Sequence, residues 1–171
     1  MQTTAEIKQT LKNTGEKQNK YLTFSLDQEE YGLEILKVRG IESLLSITKV
    51  PKMPDYIKGV INLRGKVIPI IDLRLKFSMD AIDYTDRTCI IVVEIHGKKD
   101  MVIMGIIVDK VLEVLNINAE DVEEKVNFGT RIKTDYILGI AKAKDGVKIL
   151  LDIDKVLTTE ELDIISNVTK S

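Results

Sequence analysis

The chain has 171 residues, 44% hydrophobic and 30% charged, with a formal net charge of −2. That length gives one ordinary domain or two small halves around a shared core, and the composition excludes a disordered chain. The near-balanced charge gives no global attraction to nucleic acid or anionic membrane, and a lone cysteine excludes an intrachain disulfide and a Cys-based metal cluster.

Residues 1–19 are polar, include Asn13 and Gly15, and lack the apolar stretch of a signal peptide, so they read as a flexible tail. Tyr21–Leu26 and Tyr31–Val38 read as strands around the polar turn Asp27-Gln28-Glu29-Glu30. Val50-Pro51-Lys52-Met53-Pro54 reads as a rigid loop, because each proline fixes φ and lacks a backbone donor. Ile57–Leu63 and Val67–Ile71 are rich in β-branched residues and form a hairpin through Arg64-Gly65-Lys66, where glycine tolerates positive φ. Asp72 is placed to cap a short helical turn, with Leu73, Leu75 and Phe77 packed beneath. Thr88–Ile95 and Met101–Val108 flank the turn His96–Asp100, and Cys89 reads as a small core thiol in the first of them. Asn118–Lys125 is acidic and reads as a helical turn. Thr158-Thr159-Glu160-Glu161 has the form of a capping box, opening a terminal helix with Leu162, Ile165 and Val168 on one face. The longest apolar run, Met101–Val108, is far short of the ~18 residues a membrane helix requires. The expectation is a cytoplasmic protein with no direct membrane insertion.

Two segments repeat. YIKGVINLRGKVIPIIDLRLKF (56–77) is echoed by YILGIAKAKDGVKILLDIDKVL (136–157) at a constant offset of 80, which aligns Tyr56 with Tyr136, Gly59 with Gly139, Val67 with Val147 and Asp72 with Asp152. In the second copy Lys144-Asp145-Gly146 makes the turn and Asp152 the cap. A fainter pair, Tyr31–Ile35 and Met104–Val108, aligns at an offset of 73 and carries Lys37-Val38 onto Lys110-Val111. The pattern predicts two related halves, each a strand pair, a connector, a hairpin and a helical turn. Many short strands separated by regular turns point to barrels or a sandwich.

Catalytic chemistry has no foothold. His96 lies beside a turn with no nucleophile or metal partner supplied by a motif. Gly59–Lys66 superficially resembles a phosphate-binding loop, but five residues separate its glycines, Val67 stands where Ser or Thr would be needed, and strand follows the turn. Charge is uneven: Thr48–Lys76 holds seven basic residues against two acidic ones, and Asp109–Lys125 six acidic against two basic. Solvated loops account for this simply; a bipolar surface facing two partners is the alternative. The absence of tryptophan and the few aromatics disfavour a nucleic-acid surface.

The block Gly59-Val60-Ile61-Asn62-Leu63-Arg64-Gly65 followed by Pro69-Ile70-Ile71-Asp72-Leu73-Arg74 resembles the signature of the CheW family of bacterial chemotaxis coupling proteins. The resemblance extends to Tyr31-Gly32 and Ile35–Val38 upstream, and to Gly105–Asp109 and Gly139 downstream. It spans about residues 20–162, leaving 163–171 as the end of a C-terminal helix and a tail. It implies a mainly β fold of two intertwined five-stranded SH3-like β-barrels with a shared hydrophobic core, short helical turns and a C-terminal helix. It further implies a non-catalytic adaptor without cofactor or metal, monomeric alone. Such an adaptor joins the cytoplasmic tips of methyl-accepting chemotaxis proteins to the regulatory domain of the histidine kinase CheA, in membrane-associated arrays.

The receptor-binding positions implied by the resemblance are Val38, Gly59, Asn62, Leu63, Arg64, Thr88, Cys89, Gly105, Val111 and Gly139. Arg64 at a turn presents a rigid fork of donors suited to carboxylates or carbonyls. Val38, Cys89 and Val111 are expected to line an apolar groove or to pack in the core, while Gly59, Gly105 and Gly139 permit close backbone approach. The family usually places an acidic residue at the position of Gly40; here Glu42 is the nearest carboxylate. Two other readings remain at this point: a CheW-like adaptor of a paralogous chemosensory system, such as one controlling pili, and a small-ligand-binding β-barrel.

Overall fold

The structure of the protein, a computed structural model, describes residues 2–12, 19–97, 99–123 and 134–169. In chain order the elements are α1 (Thr4–Lys12), β1 (Lys20–Leu26), β2 (Glu29–Glu34), β3 (Val38–Ser43), β4 (Ile57–Leu63), β5 (Lys66–Asp72), α2 (Leu73–Lys76), β6 (Cys89–His96), β7 (Met101–Val108), β8 (Lys110–Asn116), β9 (Val122–Glu123), β10 (Ile137–Ala143), β11 (Gly146–Leu151) and α3 (Thr159–Thr169). Short 3-10 turns sit at Ile35–Lys37, Ala119–Asp121, Thr134–Tyr136 and Ile153–Lys155. The fold is mainly β, as expected.

The strands form two sheets: A, in the order β8-β1-β2-β11-β10-β9, and B, in the order β3-β6-β7-β5-β4. Each curls toward closure because the chain leaving one edge strand returns to the opposite edge. Thr48, beyond β3, bridges Val60 on β4, and β9, beyond β8, pairs with β10. Sheet A is thus five strands plus the two-residue β9, and we refer to A and B as barrels.

The halves exchange hairpins. β1–β2 belongs to the first half but joins β8, β10 and β11 of the second; β6–β7 belongs to the second but joins β3, β4 and β5 of the first. The exchange is made by two parallel pairings, Leu150 opposite Gly32 and Ile70 opposite Gly105. These are the two glycines aligned at offset 73. The offset-80 repeat is equally literal. β4 and β10 both bulge, between Ile57 and Gly59 and between Ile137 and Gly139. Asp72 and Asp152 each donate a backbone N–H to the Tyr56 or Tyr136 carbonyl at 2.8 Å.

Strands covered on both faces read as continuous apolar runs. On β6, Ile90 and Val92 point into barrel B with Ile61, Ile68, Ile70 and Ile107, while Ile91, Val93 and Ile95 face the core shared with barrel A. Barrel A has its own smaller interior of Ile117, Ala141 and Leu150. On the same side of β11 as Leu150 sits Lys148, 2% exposed, where the first half has Ile68; its ammonium bonds Glu30, and Asp145 at 3.2 Å. Through the shared core runs an aromatic row: Phe24–Tyr31, Tyr31–Phe77 and Phe77–Tyr136, with centroids 5.7, 6.3 and 5.7 Å apart. Such spacing adds a modest directional gain to area burial.

The expected caps form unequally. Asp72 Oδ1 accepts from the backbone N–H of Arg74 at 3.0 Å and of Leu75 at 3.3 Å, whereas Asp152 makes no side-chain cap and accepts only through its carbonyl, from Lys155 N. The Thr158 box closes both ways: Glu161 N donates to Thr158 Oγ1 at 3.1 Å and Thr158 N to Glu161 Oε1 at 2.8 Å. Glu161 also receives Lys76 Nζ at 2.8 Å and the Tyr56 hydroxyl, tying α3 to α2 and to the start of β4. Leu162 and Ile165 are buried as their spacing predicts; the Val168 side chain, Glu124 and Lys125 lie outside the described residues.

One expectation is corrected. Within the tail expected over 1–19, Thr4–Lys12 is a helix whose Ile7 is 2% exposed in the shared core. Thr3 Oγ1 caps it, accepting from Glu6 N at 3.1 Å, and Gln2 exchanges two 3.0 Å bonds with the Val114 backbone. Residues 13–18 lie outside the described residues. The turn residues also differ between copies: Arg64 and Gly65 both have positive φ (51° and 85°), while the second hairpin concentrates it on Gly146 (129°).

Two predictions follow from this packing. Gly59 has φ +139°, and a Cβ there would lie 2.0 Å from Thr48 O; at Gly105 it would lie 2.6 Å from Ile70 and Ile90, whereas at Gly40 it meets nothing within 4 Å. In urea melts, Gly59→Ala and Gly105→Ala are expected to cost roughly 1–3 kcal/mol or more and Gly40→Ala less than about 0.5. Burial alone would raise the Glu161 carboxyl, but the Lys76 ammonium, the Thr158 N–H and the Tyr56 hydroxyl together hold it down at about 2. A depressed carboxylate stabilises the fold above its unfolded value and ceases to as pH falls through its folded one, so on the order of 2–3 kcal/mol should disappear between about pH 4.5 and 2. Glu161→Gln should lower stability at neutral pH and flatten that acid limb in thermal melts.

Candidate functional site

The ten positions singled out from sequence separate into three groups. Gly59, Gly105 and Gly139 are buried and serve close packing. A Cβ at Gly139 would lie 2.7 Å from Glu123 O, just as one at Gly59 would strike Thr48 O, so both glycines admit the strand that closes their barrel. Val38 is 3% exposed and belongs to the shared core. These four shape the fold rather than present side chains outward.

The second group is the β4–β5 turn. Asn62 is exposed, and its Oδ1 accepts from Gly65 N at 2.9 Å, an Asx-type bond that stabilises the tight turn. Leu63 is half-buried against the barrel B interior. Arg64 has its side chain 81% exposed and reaches Glu42 Oε1 at 3.2 Å. That exposed pair contributes little to stability, so the guanidinium is available to a partner. Glu42, next to the departure at Gly40, is therefore engaged within the molecule. Arg39 is likewise satisfied, by Glu94 at 2.6 Å and the Leu36 carbonyl at 2.8 Å.

Thr88, Cys89 and Val111 form the third group, where the two sheets meet. Thr88 is buried and ties off the preceding loop: its Oγ1 accepts from Thr85 N at 2.9 Å, and its N–H donates to Thr85 O at 3.2 Å. Cys89 begins β6, Val111 lies on β8, and both pack half-buried against the shared core. Burial pushes the Cys89 thiol up from its ordinary range, partly offset by a backbone hydrogen bond at Val111. Ser43 pairs with Cys89 and Glu42 with Ile90, so the Arg64 turn and the Cys89 strand end are linked through the end of β3. The Arg64 turn and the Cys89 strand end thus meet successive residues at the end of β3, and Val111 lies beside Cys89.

Sequence reasoning passed over the loop ahead of Cys89, where Ile82 and Tyr84 are substantially exposed. Its signal was two apolar residues within the acidic run Asp80–Asp86. The Tyr84 hydroxyl donates to Asp72 Oδ2 at 2.8 Å, so the carboxylate that caps α2 also anchors this loop. Of the basic residues in Thr48–Lys76, Arg74 and Lys76 are spent internally, on Asp109 at 2.7 Å and Glu161 at 2.8 Å, which leaves a smaller external basic face than the sequence count implies.

Among the described residues no group of three His, Cys, Asp or Glu side chains is placed to hold a metal ion. No helix among the described residues is long and apolar enough to cross a membrane. Two open surface clefts of about 540 and 590 Å³ flank α3, one beside His96 and Asp154, the other between β5 and β7.

The raised Cys89 thiol should be alkylated several-fold more slowly than a free cysteine at pH 8, timed by loss of free thiol in the folded protein. Reaction at the free-cysteine rate would contradict the burial seen here.

Residues 20–161 match the family model described as the CheW-like domain. The chain is 40% identical over 151 residues to the chemotaxis protein CheW of Klebsiella aerogenes, covering 88% of this chain and 89% of that one. It is 34% identical over 158 residues to the chemotaxis protein CheW of Bacillus subtilis, covering 92% and 93%. Among solved structures it is similar to the scaffolding protein TtCheW of Thermoanaerobacter tengcongensis, with a TM-score of 0.75 and 38% identity over 84% of this chain and 96% of that one. With the match spanning both exchanged barrels, the chain belongs to the CheW-like family of chemotaxis scaffolds.

Proposed function

We propose that the protein is a non-catalytic chemotaxis adaptor that couples methyl-accepting chemoreceptors to the histidine kinase CheA. It acts in the cytoplasm, binds the cytoplasmic tip of the receptors and the regulatory domain of the kinase, and is recruited by those contacts to membrane-associated arrays. It needs no cofactor, and its output is the geometry of the assembly.

The observation that carries this reading is the Arg64 turn within the family match. An exposed guanidinium on a tight positive-φ turn, held by the half-buried carboxylate of Glu42, is pre-organised yet free to exchange Glu42 for an acceptor on a receptor helix. Beside it the half-buried Leu63, Cys89 and Val111 supply apolar surface. A helical hairpin tip presenting carboxylates or end carbonyls next to an apolar stripe fits that chemistry.

The direct test is co-sedimentation with receptor-containing membranes, with and without CheA, while kinase autophosphorylation is followed. An adaptor makes CheA sediment and places its activity under receptor control. Arg64→Ala should lower receptor affinity roughly ten- to a hundred-fold, as expected for a charge-assisted hydrogen bond worth about 1–3 kcal/mol. Arg64→Glu should do more, because it sets a second carboxylate beside Glu42. Neither should move the thermal midpoint appreciably, and unchanged receptor affinity in both would remove Arg64 from the interface.

A further inference from the structure

The chain crosses between barrels twice in the hairpin exchange, and each crossing carries a polar clip. From β2 to β3 it passes through Ile35–Lys37; from β7 to β8 it passes through the single residue Asp109. At the second crossing Asp109 Oδ2 accepts from Arg74 Nη1 at 2.7 Å and from the backbone N–H of Asp27 at 2.8 Å. Arg74 comes from the helical turn after β5, and Asp27 from the β1–β2 turn. Arg74 also donates to the Asp80 carbonyl at 3.0 Å and lies 3.6 Å from Asp27 Oδ1, with its side chain only 7% exposed. At the first crossing Lys37 Nζ donates to Asp154 Oδ2 at 2.6 Å, and Asp154 Oδ1 accepts from the backbone N–H of His96 at 2.9 Å. Asp154 comes from the turn after β11, and His96 from the end of β6 at the β6–β7 turn.

The two clips are the same device under the repeat. Arg74 and Asp154 stand 80 residues apart, the offset of their hairpins, and Lys37 lies next to the position that aligns with Asp109 at offset 73. Each joins a crossing, the turn of one exchanged hairpin and the helical turn of the opposite barrel. The polarity is inverted: the cation sits on the helical turn in one clip and on the crossing in the other. An ion pair at a one-residue crossing acts on orientation, because the shared core supplies cohesion but is not directional.

We propose that the Arg74–Asp109–Asp27 and Lys37–Asp154–His96 clips fix the angle between the two barrels, and that Arg74 and Asp154 are thereby positioning residues for receptor docking. The second half of this statement rests on the adaptor reading above. It follows because the candidate surface is assembled from both barrels: Arg64 and Cys89 are on barrel B, and Val111, two residues beyond the Asp109 crossing, is on barrel A.

The test separates geometry from docking. Val67 and Val147 occupy equivalent exposed positions on β5 and β11, one on each barrel. Spin labels at Val67→Cys and Val147→Cys in a Cys89→Ser background report the inter-barrel distance distribution. Asp109→Asn with Asp154→Asn should broaden that distribution while the β-sheet circular dichroism is kept. Made in the native Cys89 background, the same pair should weaken binding of a soluble receptor-tip fragment about tenfold. If the double variant does not fold, Asp154→Asn alone, at the more exposed clip, should still broaden the distribution. An unbroadened distribution overturns the clip. A broadened distribution with unchanged receptor affinity overturns the positioning role. If the unaltered protein fails to bind the receptor fragment at all, the adaptor reading fails, and the distance measurement still decides whether the clips set the angle.

Discussion

Everything in this molecule depends on two parallel strand contacts, Ile70 against Gly105 and Leu150 against Gly32. They insert the leading hairpin of each half into the barrel of the other. Both glycines are required by space: a Cβ on Gly105 would meet Ile70 at 2.6 Å, and one on Gly32 would meet Leu150 at 2.9 Å. Because the hairpins are exchanged, one face of nearly every central strand lines its own barrel and the other lines the shared core. The core and the strand exchange are therefore one constraint, and the aromatic row from Phe24 to Tyr136 is where it is most densely filled.

That arrangement explains why positions assigned to one function behave so differently. Buried glycines and Val38 set the path of strands; the Thr88 hydroxyl ties off a loop; only Arg64, with Asn62 and the edges of Leu63, Cys89 and Val111, meets solvent. A substitution at Gly59 displaces the Thr48 segment that closes barrel B, whereas one at Arg64 only removes exposed donors. The same phenotype can arise through either route, and the stability of the variant distinguishes them.

Much of the fold was legible because duplication wrote it twice. The offset of 80 located both hairpins and aligned their bulge glycines, and the offset of 73 aligned Gly32 with Gly105 without revealing the parallel contacts they make; the intertwining came from the family resemblance. The Thr158–Glu161 box was read correctly because its chemistry is local. The N-terminal helix was not legible: Ile7 and Leu11 are only two apolar residues in a polar stretch, and their helix exists because the shared core is there to receive them. Asp152 was expected to cap like Asp72 and does not, since the turn that follows it is 3-10 rather than α. The Arg64 turn was visible as a motif, but its pairing with Glu42 crosses the barrel closure and carries no short-range signal. The internal use of Arg74 and Lys76 was hidden for the same reason, so the basic segment looked more exposed than it is.

The hairpin exchange also has a consequence for how the protein is made. When residues 1–77 have left the ribosome, β1–β2 has no neighbour on either side, and β3 and β4–β5 are linked only by the bridge at Thr48. β1 waits for β8, 85 to 96 residues later in the chain, and β2 for β11, 118 residues later. Barrel B has all its strands once Val108 has emerged, but barrel A waits for β11 at Leu151, so the edges of β1 and β2 stay open through much of translation and folding is dominated by long-range pairing. A nascent chain with this topology therefore needs its β-edges shielded while it emerges, and one interrupted before β6–β7 leaves both barrels open.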